Sequence, residues 1–183
     1  MIGVADTCFI IDWSKYSNRE VLFKLFNKVL ILKQVLDEVR REETLNYIVQ
    51  KMMTEQIEFY EPSTLVLREA DEIVRRSISI PHLRRVDLPE ALCIAIGRGY
   101  GYVVLTENLG AYYFVKHEDR YKHVIIWRSI DVLREAYLKG FLHGDPLNII
   151  EEYQRETKHV FSKREINRFI ELVSRRKHER GTN

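Results

Sequence analysis

Five short apolar runs in the first 127 residues most constrain what this chain can fold into. They are residues 2–5 (IGVA), 29–32 (VLIL), 57–60 (IEFY), 102–105 (YVVL) and 124–127 (VIIW). Most are continuous rather than alternating, the pattern of a strand covered on both faces. Only 57–60 alternates, and weakly. Between the runs, apolar residues recur at helical spacing. Val21, Leu22, Leu25 and Phe26 share one face, with Ser17 or Asn18 available as a cap, and Val35, Leu36 and Val39 share another on a helix from about Gln34. Further helices are predicted over 45–53 and from Ser63 or Thr64 to Arg76, followed by a loop at 79–82. Strands alternating with helices predict a three-layer α/β/α fold around a central parallel sheet of about five strands.

The helix starts are marked. Asp6 or Thr7 can cap a helix directly after the first run. Asp87-Leu88-Pro89-Glu90 reads as a sharp start, with Asp87 at the N-cap, proline in the first turn and Glu90 closing a capping box. The segment 91–96 is almost wholly apolar and should be buried, with Gly97, Gly99 and Gly101 ending it. Ser129 can cap a helix over 131–138. After Gly140 the strand signals stop. Asp145-Pro146 starts one helix. Ser162 and Glu165 form a capping box for another, whose Ile166, Phe169, Ile170 and Val173 lie on one face. The expected organisation is an α/β domain over 1–140 and a helical, basic extension over 141–183, packed on or beside it.

Composition narrows the setting. With 183 residues, 45% hydrophobic and 31% charged, the chain is long enough for a real core and is not of disordered type. No apolar run approaches the roughly 20 residues that span a bilayer. The first residues lack the basic start and long apolar stretch of a secretory leader, so the expected location is the cytoplasm, away from membranes. Cys8 and Cys93 have no metal-site spacing and both lie in apolar surroundings, which predicts two buried free thiols. The net charge of +2 is unevenly spread. Residues 158–180 hold eight Lys/Arg and three Asp/Glu, a local excess of +5 that leaves −3 for the rest. Such a split suits a protein that holds cations at one place and touches polyanions at another, but the charge alone reads first as a solvated helix face.

Ligands of open α/β sheets bind at the carboxyl ends of the strands. Asp6 follows the first strand and Glu107 follows 102–105. Glu90 begins a buried helix, and Glu38 borders the apolar stripe of another. Each has an ordinary explanation singly: Asp6 caps a helix, Glu90 completes a capping box, Glu38 lies in a charged run, and Glu107 is a turn residue. Four carboxylates beside apolar segments are nonetheless costly unless a cation, a basic partner or hydrogen bonds meet them, and oxygen-only ligands suit Mg²⁺ or Mn²⁺.

Their ordered arrangement resembles the PIN-domain family, VapC-like and archaeal-type ribonucleases included. The residues that carry the resemblance are VADTCFI at the start, VLILKQVLDEV with Glu38, EALCIAIGRGYGYVVLTEN with Glu90, and VIIWRSIDVL. Glu90 and Thr106 are sixteen residues apart, as the third acid and the threonine are in that family. The resemblance covers residues 1 to about 138. It implies a metal-dependent endoribonuclease, toxin-type or RNA-processing, that hydrolyses RNA with one or two Mg²⁺ or Mn²⁺ ions. Asp6, Glu38, Glu90 and Glu107 would be the catalytic and metal-binding acids, with Thr106, Asn108 and Asp87 orienting them. Two positions depart from the pattern. The third acid is usually Asp, and Asp87 takes its place if the register differs. The fourth acid usually stands where Asn108 does. The alternative is a catalytically weak or inactive PIN-like module that binds RNA or protein.

Arg84, Arg85, Lys116, Arg175, Arg176 and Lys177 are candidate RNA contacts, and Tyr112, Tyr113 and Phe114 can stack on bases or belong to the core. A small antitoxin and a homodimer are the protein partners the resemblance implies.

Overall fold

The computed structural model describes residues 1–81 and 83–180, the side chains of 176–180 excepted. Its centre is a five-stranded sheet of order β3-β2-β1-β4-β5, built from β1 (Ile2–Ala5), β2 (Lys28–Ile31), β3 (Ile57–Phe59), β4 (Val103–Leu105) and β5 (Ile126–Trp127). All four pairings are parallel, and helices cover both faces. The predicted α/β class and the five strands are therefore present. Val4, Ala5, Val29, Val104 and Leu105 are fully buried, which is why their runs do not alternate. β3 is an edge strand. Ile57 is buried while Glu58 and Phe59 face outward, which explains its weak pattern.

The helices are α1 (Thr7–Lys15), α2 (Leu22–Leu25), α3 (Lys33–Glu38), α4 (Glu42–Met53), α5 (Thr64–Ser79), α6 (Leu88–Tyr100), α7 (Leu109–His117), α8 (Ser129–Leu138), α9 (Pro146–Thr157) and α10 (Lys163–Arg180). Several differ from expectation. The stripe from Val21 to Phe26 is not one helix capped by Ser17 or Asn18. A 3₁₀ turn over Arg19–Val21 leads into the single turn of α2, and Phe26 is extended because the chain must enter β2 two residues later. Ser79 belongs to α5, capped by Ser63, whereas His82 of the expected loop lies outside the described residues. α8 starts one residue earlier than a Ser129 cap allows. Arg128 is its N-cap, with its backbone N–H donating to Asp131 at 3.0 Å.

The glycines of α6 do not end it in concert. Gly101 alone does, in the left-handed region at φ +70, with its N–H bonded to the Gly97 carbonyl at 2.9 Å. Gly97 serves packing instead. A Cβ there would lie 2.5 Å from Val104 Cγ2 and 3.1 Å from the Tyr102 carbonyl oxygen, so its absence lets α6 settle directly on β4.

The helices after Gly140 pack on α1 and α8. Tyr153 of α9 meets the rings of Trp13 at 5.7 Å, Tyr16 at 5.1 Å and Phe161 at 5.7 Å. Phe169 and Val173 of α10 are buried. Among the described residues, no helix is long and apolar enough to cross a membrane.

The contrast between two glycines of α6 is testable. Gly97→Ala should lower stability by about 1–3 kcal/mol despite alanine's better helix propensity, because a buried β-branched side chain must move. Gly99→Ala meets nothing within 4 Å and should raise stability by up to about 1 kcal/mol. Urea unfolding of both variants checks the pair.

Candidate active site

The strand order turns around between β1 and β4. The chain builds outward from β1 through β2 to β3, then returns to the other side of β1 for β4 and β5. Such a switch point opens a crevice at the carboxyl ends of the two flanking strands. Asp6 follows β1 and Thr106 follows β4, and the register that pairs Ala5 with Leu105 brings them side by side.

Asp6 is 1% exposed. Its backbone N–H extends the ladder to the Leu105 carbonyl at 3.0 Å. Oδ1 caps α1 by accepting the Phe9 N–H at 2.8 Å, and Oδ2 accepts the Thr106 hydroxyl. Burial pushes the carboxyl up to about 8. The Thr106 and Phe9 hydrogen bonds oppose that rise, and the charges of Glu90 and Glu107 add to it.

Glu90 does not close the expected capping box. Asp87 is the N-cap of α6 but makes no side-chain cap bond, and its carboxylate faces Arg85 Nε at 3.3 Å on the open surface. Asp87 therefore stands apart from the crevice acids. Glu90 turns inward instead. Its Oε1 accepts from Asn108 Nδ2 at 3.0 Å, while Oε2 is buried and without a hydrogen-bond partner among the described residues. Asn108 is fully committed. Its Oδ1 caps α7 by accepting the N–H groups of Gly110 at 2.7 Å and Ala111 at 3.3 Å, and its backbone N–H donates to Thr106 Oγ1 at 3.0 Å. The two backbone donors fix which end of the amide is oxygen.

Glu38 ends α3 with an exposed side chain, drawn to the start of α1 by a hydrogen bond from the Thr7 hydroxyl. Glu107 is held elsewhere. Its Oε1 accepts the Ser129 N–H at 2.7 Å, and its Oε2 meets Arg128 Nε at 3.2 Å and His159 Nε2 at 3.3 Å. Arg128 also binds Glu165, and His159 Nδ1 lies 3.3 Å from Asp12. The expected cage of four acids is thus not what the side chains form. Among the described residues, no three His, Cys, Asp or Glu side chains converge closely enough to enclose an ion. The arrangement is graded instead: Asp6 and Glu90 in the crevice, Glu38 at its mouth, and Glu107 consumed by a basic partner.

Cys8 corrects another expectation. Cys93 is buried, but Cys8 is exposed, because the second residue of α1 points away from the sheet. Partial desolvation by the surrounding chain, with the charges of Asp6, Glu90, Asp12 and Glu38, pushes its thiol up to about 12, so it is not a nucleophile at neutral pH.

The candidate RNA contacts scatter. Arg84 and Arg85 are exposed, and the Arg84 carbonyl lies so near Gly110 that a Cβ there would be 2.7 Å away. Lys116 lies 5.6 Å over the Tyr112 ring, and Arg175 pairs with Glu171. The side chains of Arg176 and Lys177 lie outside the described residues. Phe114 is core, Tyr112 half-buried and Tyr113 exposed. Arg128 could have been noticed as the charged residue that leaves β5. Asp12 and His159 carried no spacing signal, since their meeting depends on how α9 folds back onto α1.

Neither a family model nor a curated protein matches this sequence. Among solved structures, the chain is similar to VapBC2 from Rickettsia felis, crystallised bound to a DNA fragment from its promoter. The identity is 16%, the match covers 70% of this chain and 98% of that one, and the TM-score is 0.48.

Two outcomes follow from this geometry. Folded Asp6 keeps its proton to about pH 8, whereas its ordinary value is 3.8. The folded state then holds the extra proton between those values, so its stability is greatest at the acid end and falls as pH rises towards 8. In metal-free buffer, Asp6→Asn should remove this fall. Equal slopes for both proteins in urea titrations at several pH values would contradict it. Glu107→Ala leaves Arg128 with one acid fewer and strips the Ser129 N–H of its acceptor. It should cost about 3 kcal/mol of stability in the same assay.

Proposed function

We propose that this protein is a divalent-metal-dependent ribonuclease of the PIN type. The observation that carries the proposal is the buried Oε2 of Glu90, without a hydrogen-bond partner among the described residues, near the buried Asp6, whose carboxyl the Glu90 charge pushes further up. Mg²⁺ does not need an all-protein cage. It commonly uses one or two carboxylates, with water and substrate phosphate completing its shell. Asp6 and Glu90 suit that need, with Mg²⁺ or Mn²⁺ drawing Asp6 into its charged form. A bound ion supplies a more acidic water and neutralises charge on the phosphate.

The chain's own residues do the positioning. Thr106 fixes Asp6, and Asn108 fixes Glu90 while anchored to the first turn of α7. Glu38 acts at the mouth through water. Glu107 holds Arg128 and the start of α8 and does not bind the ion. α1 and α7 start directly after Asp6 and Asn108, so the positive ends of their dipoles lie at the crevice and favour negative charge there.

By its resemblance, the proposal extends to a cytoplasmic, homodimeric, toxin-type protein restrained by a small antitoxin. The capture of Glu107 by Arg128, which leaves fewer free acids than the resemblance implies, favours a second reading: a PIN-like module that binds RNA or a protein without cutting.

Purified protein should bind Mn²⁺ and cleave single-stranded RNA with Mn²⁺ or Mg²⁺. Asp6→Asn and Glu90→Gln should each abolish cleavage, and Glu38→Gln should slow it roughly tenfold. Absence of both Mn²⁺ binding by calorimetry and cleavage of any RNA would sink the nuclease and leave the binding module.

A further inference from the structure

Beside the crevice lies a cleft of about 560 Å³ where α10 closes against α7 and α8. We infer that this cleft, with the tyrosine ridge at its edge, is a track for single-stranded RNA, formed by the C-terminal extension together with the α/β body. The inference rests on the ribonuclease reading for the identity of the strand and on independent residues for its path.

Charge is the first argument. Four arginines line the cleft. Two are neutralised: Arg128 by Glu107 and Glu165, and Arg134 by Asp131 and Glu135. Arg164 and Arg168 are exposed, and among the described residues neither has an ion-pair partner. They stand four residues apart on α10, hence on one face, one turn from each other. Among the described residues the acids in the cleft are already paired, so the uncompensated charge there is these two guanidinium groups. Both are suited to phosphate.

Aromatic surface is the second. Tyr113 is 51% exposed and stands edge-on to Tyr112, with ring centres 5.6 Å apart. Leu109 and Tyr113 also line a second concavity of about 390 Å³, which carries Arg84 and His117. The ridge therefore separates two hollows, each with a cation. Alternating cations and open aromatic faces suit a single strand, whose bases are free to stack, better than an acidic peptide, which has no use for the rings.

Position is the third. Leu109 directly follows Asn108, the residue that holds Glu90, so the ridge rises from the candidate active site. A strand stacked on Tyr113 with its backbone on α10 passes the first turn of α7.

Fluorescence anisotropy with a labelled single-stranded RNA in EDTA tests this without cleavage. Arg164→Ala/Arg168→Ala should weaken binding about tenfold or more and flatten the slope of log affinity against log salt by about 1.4, two phosphate contacts' worth. Tyr113→Ala should weaken binding roughly fivefold or more with the slope unchanged. All three residues are exposed, so melting temperatures should match the parent. Unchanged affinity in both variants overturns the track. So does equal affinity for blunt duplex RNA, or competition by poly-glutamate as effective as by unlabelled RNA, the mark of a peptide groove. If binding behaves as expected but no metal supports cleavage, the nuclease reading fails and the track stands. If the parent cleaves and the variants bind and cleave equally well, the reverse holds.

Discussion

A carboxyl group buried at the seam between β1 and β4 is what the carboxyl edge of this sheet is arranged around. Asp6 has almost no water to solvate it, and one hydroxyl and one backbone N–H do not compensate. Nearby acids raise the cost further. Each acid around the crevice is met by a different device. Glu107 has a guanidinium and a helix N-terminus, Glu38 has a threonine and open solvent, and Glu90 has a single amide. Asp6 holds its proton. The devices differ in strength: Asp6 avoids a buried charge by keeping its proton, and Glu90 keeps one buried oxygen with no hydrogen-bond partner among the described residues.

The C-terminal helices are tied to this edge. Tyr153 donates to Ser129 Oγ at 2.6 Å, His159 bridges Asp12 and Glu107, and Glu165 grips Arg128. Three contacts from sequence-distant positions thus converge on the start of α8. They hold Arg128 where it can neutralise Glu107, and α10 then walls the cleft that Tyr113 borders. One group of contacts both silences an acid and shapes the surface beside the candidate site.

Much of this was legible in the sequence, for physical reasons. Parallel strands announce themselves by continuous apolar runs, so the sheet and Asp6 at its centre could be read directly. Helix starts with a single consistent device, such as Asp145-Pro146 or Ser162 with Glu165, were also legible. Glu90 misled because position N3 of a helix is where a capping box puts a glutamate, and local sequence does not say which way the side chain turns. Cys8 misled because apolar neighbours along the chain are not neighbours in space at a helix's first turn. The capture of Glu107 was not legible, since Arg128 and His159 reach it through tertiary packing alone. Gly97 sits in a glycine-rich stretch that reads as a helix end, but its reason is the approach of β4.

The two departures from the PIN pattern explain one another in this geometry. An aspartate at position 108 could still cap α7, because capping uses only an acceptor. It could not donate to Glu90, and it would add a charge beside a glutamate whose Oε2 already has no hydrogen-bond partner among the described residues. Asparagine keeps the cap and supplies the donor. Glutamate at position 90 is one methylene longer than aspartate, which gives its carboxylate more reach from the first turn of α6 towards that donor while its other oxygen stays free. The pair exchanges one negative charge for a hydrogen bond that aims the remaining one. On the proposed metal-dependent reading, such a site would have fewer charges with which to hold an ion but a better oriented acid, and metal binding would depend more on the phosphate that arrives with it.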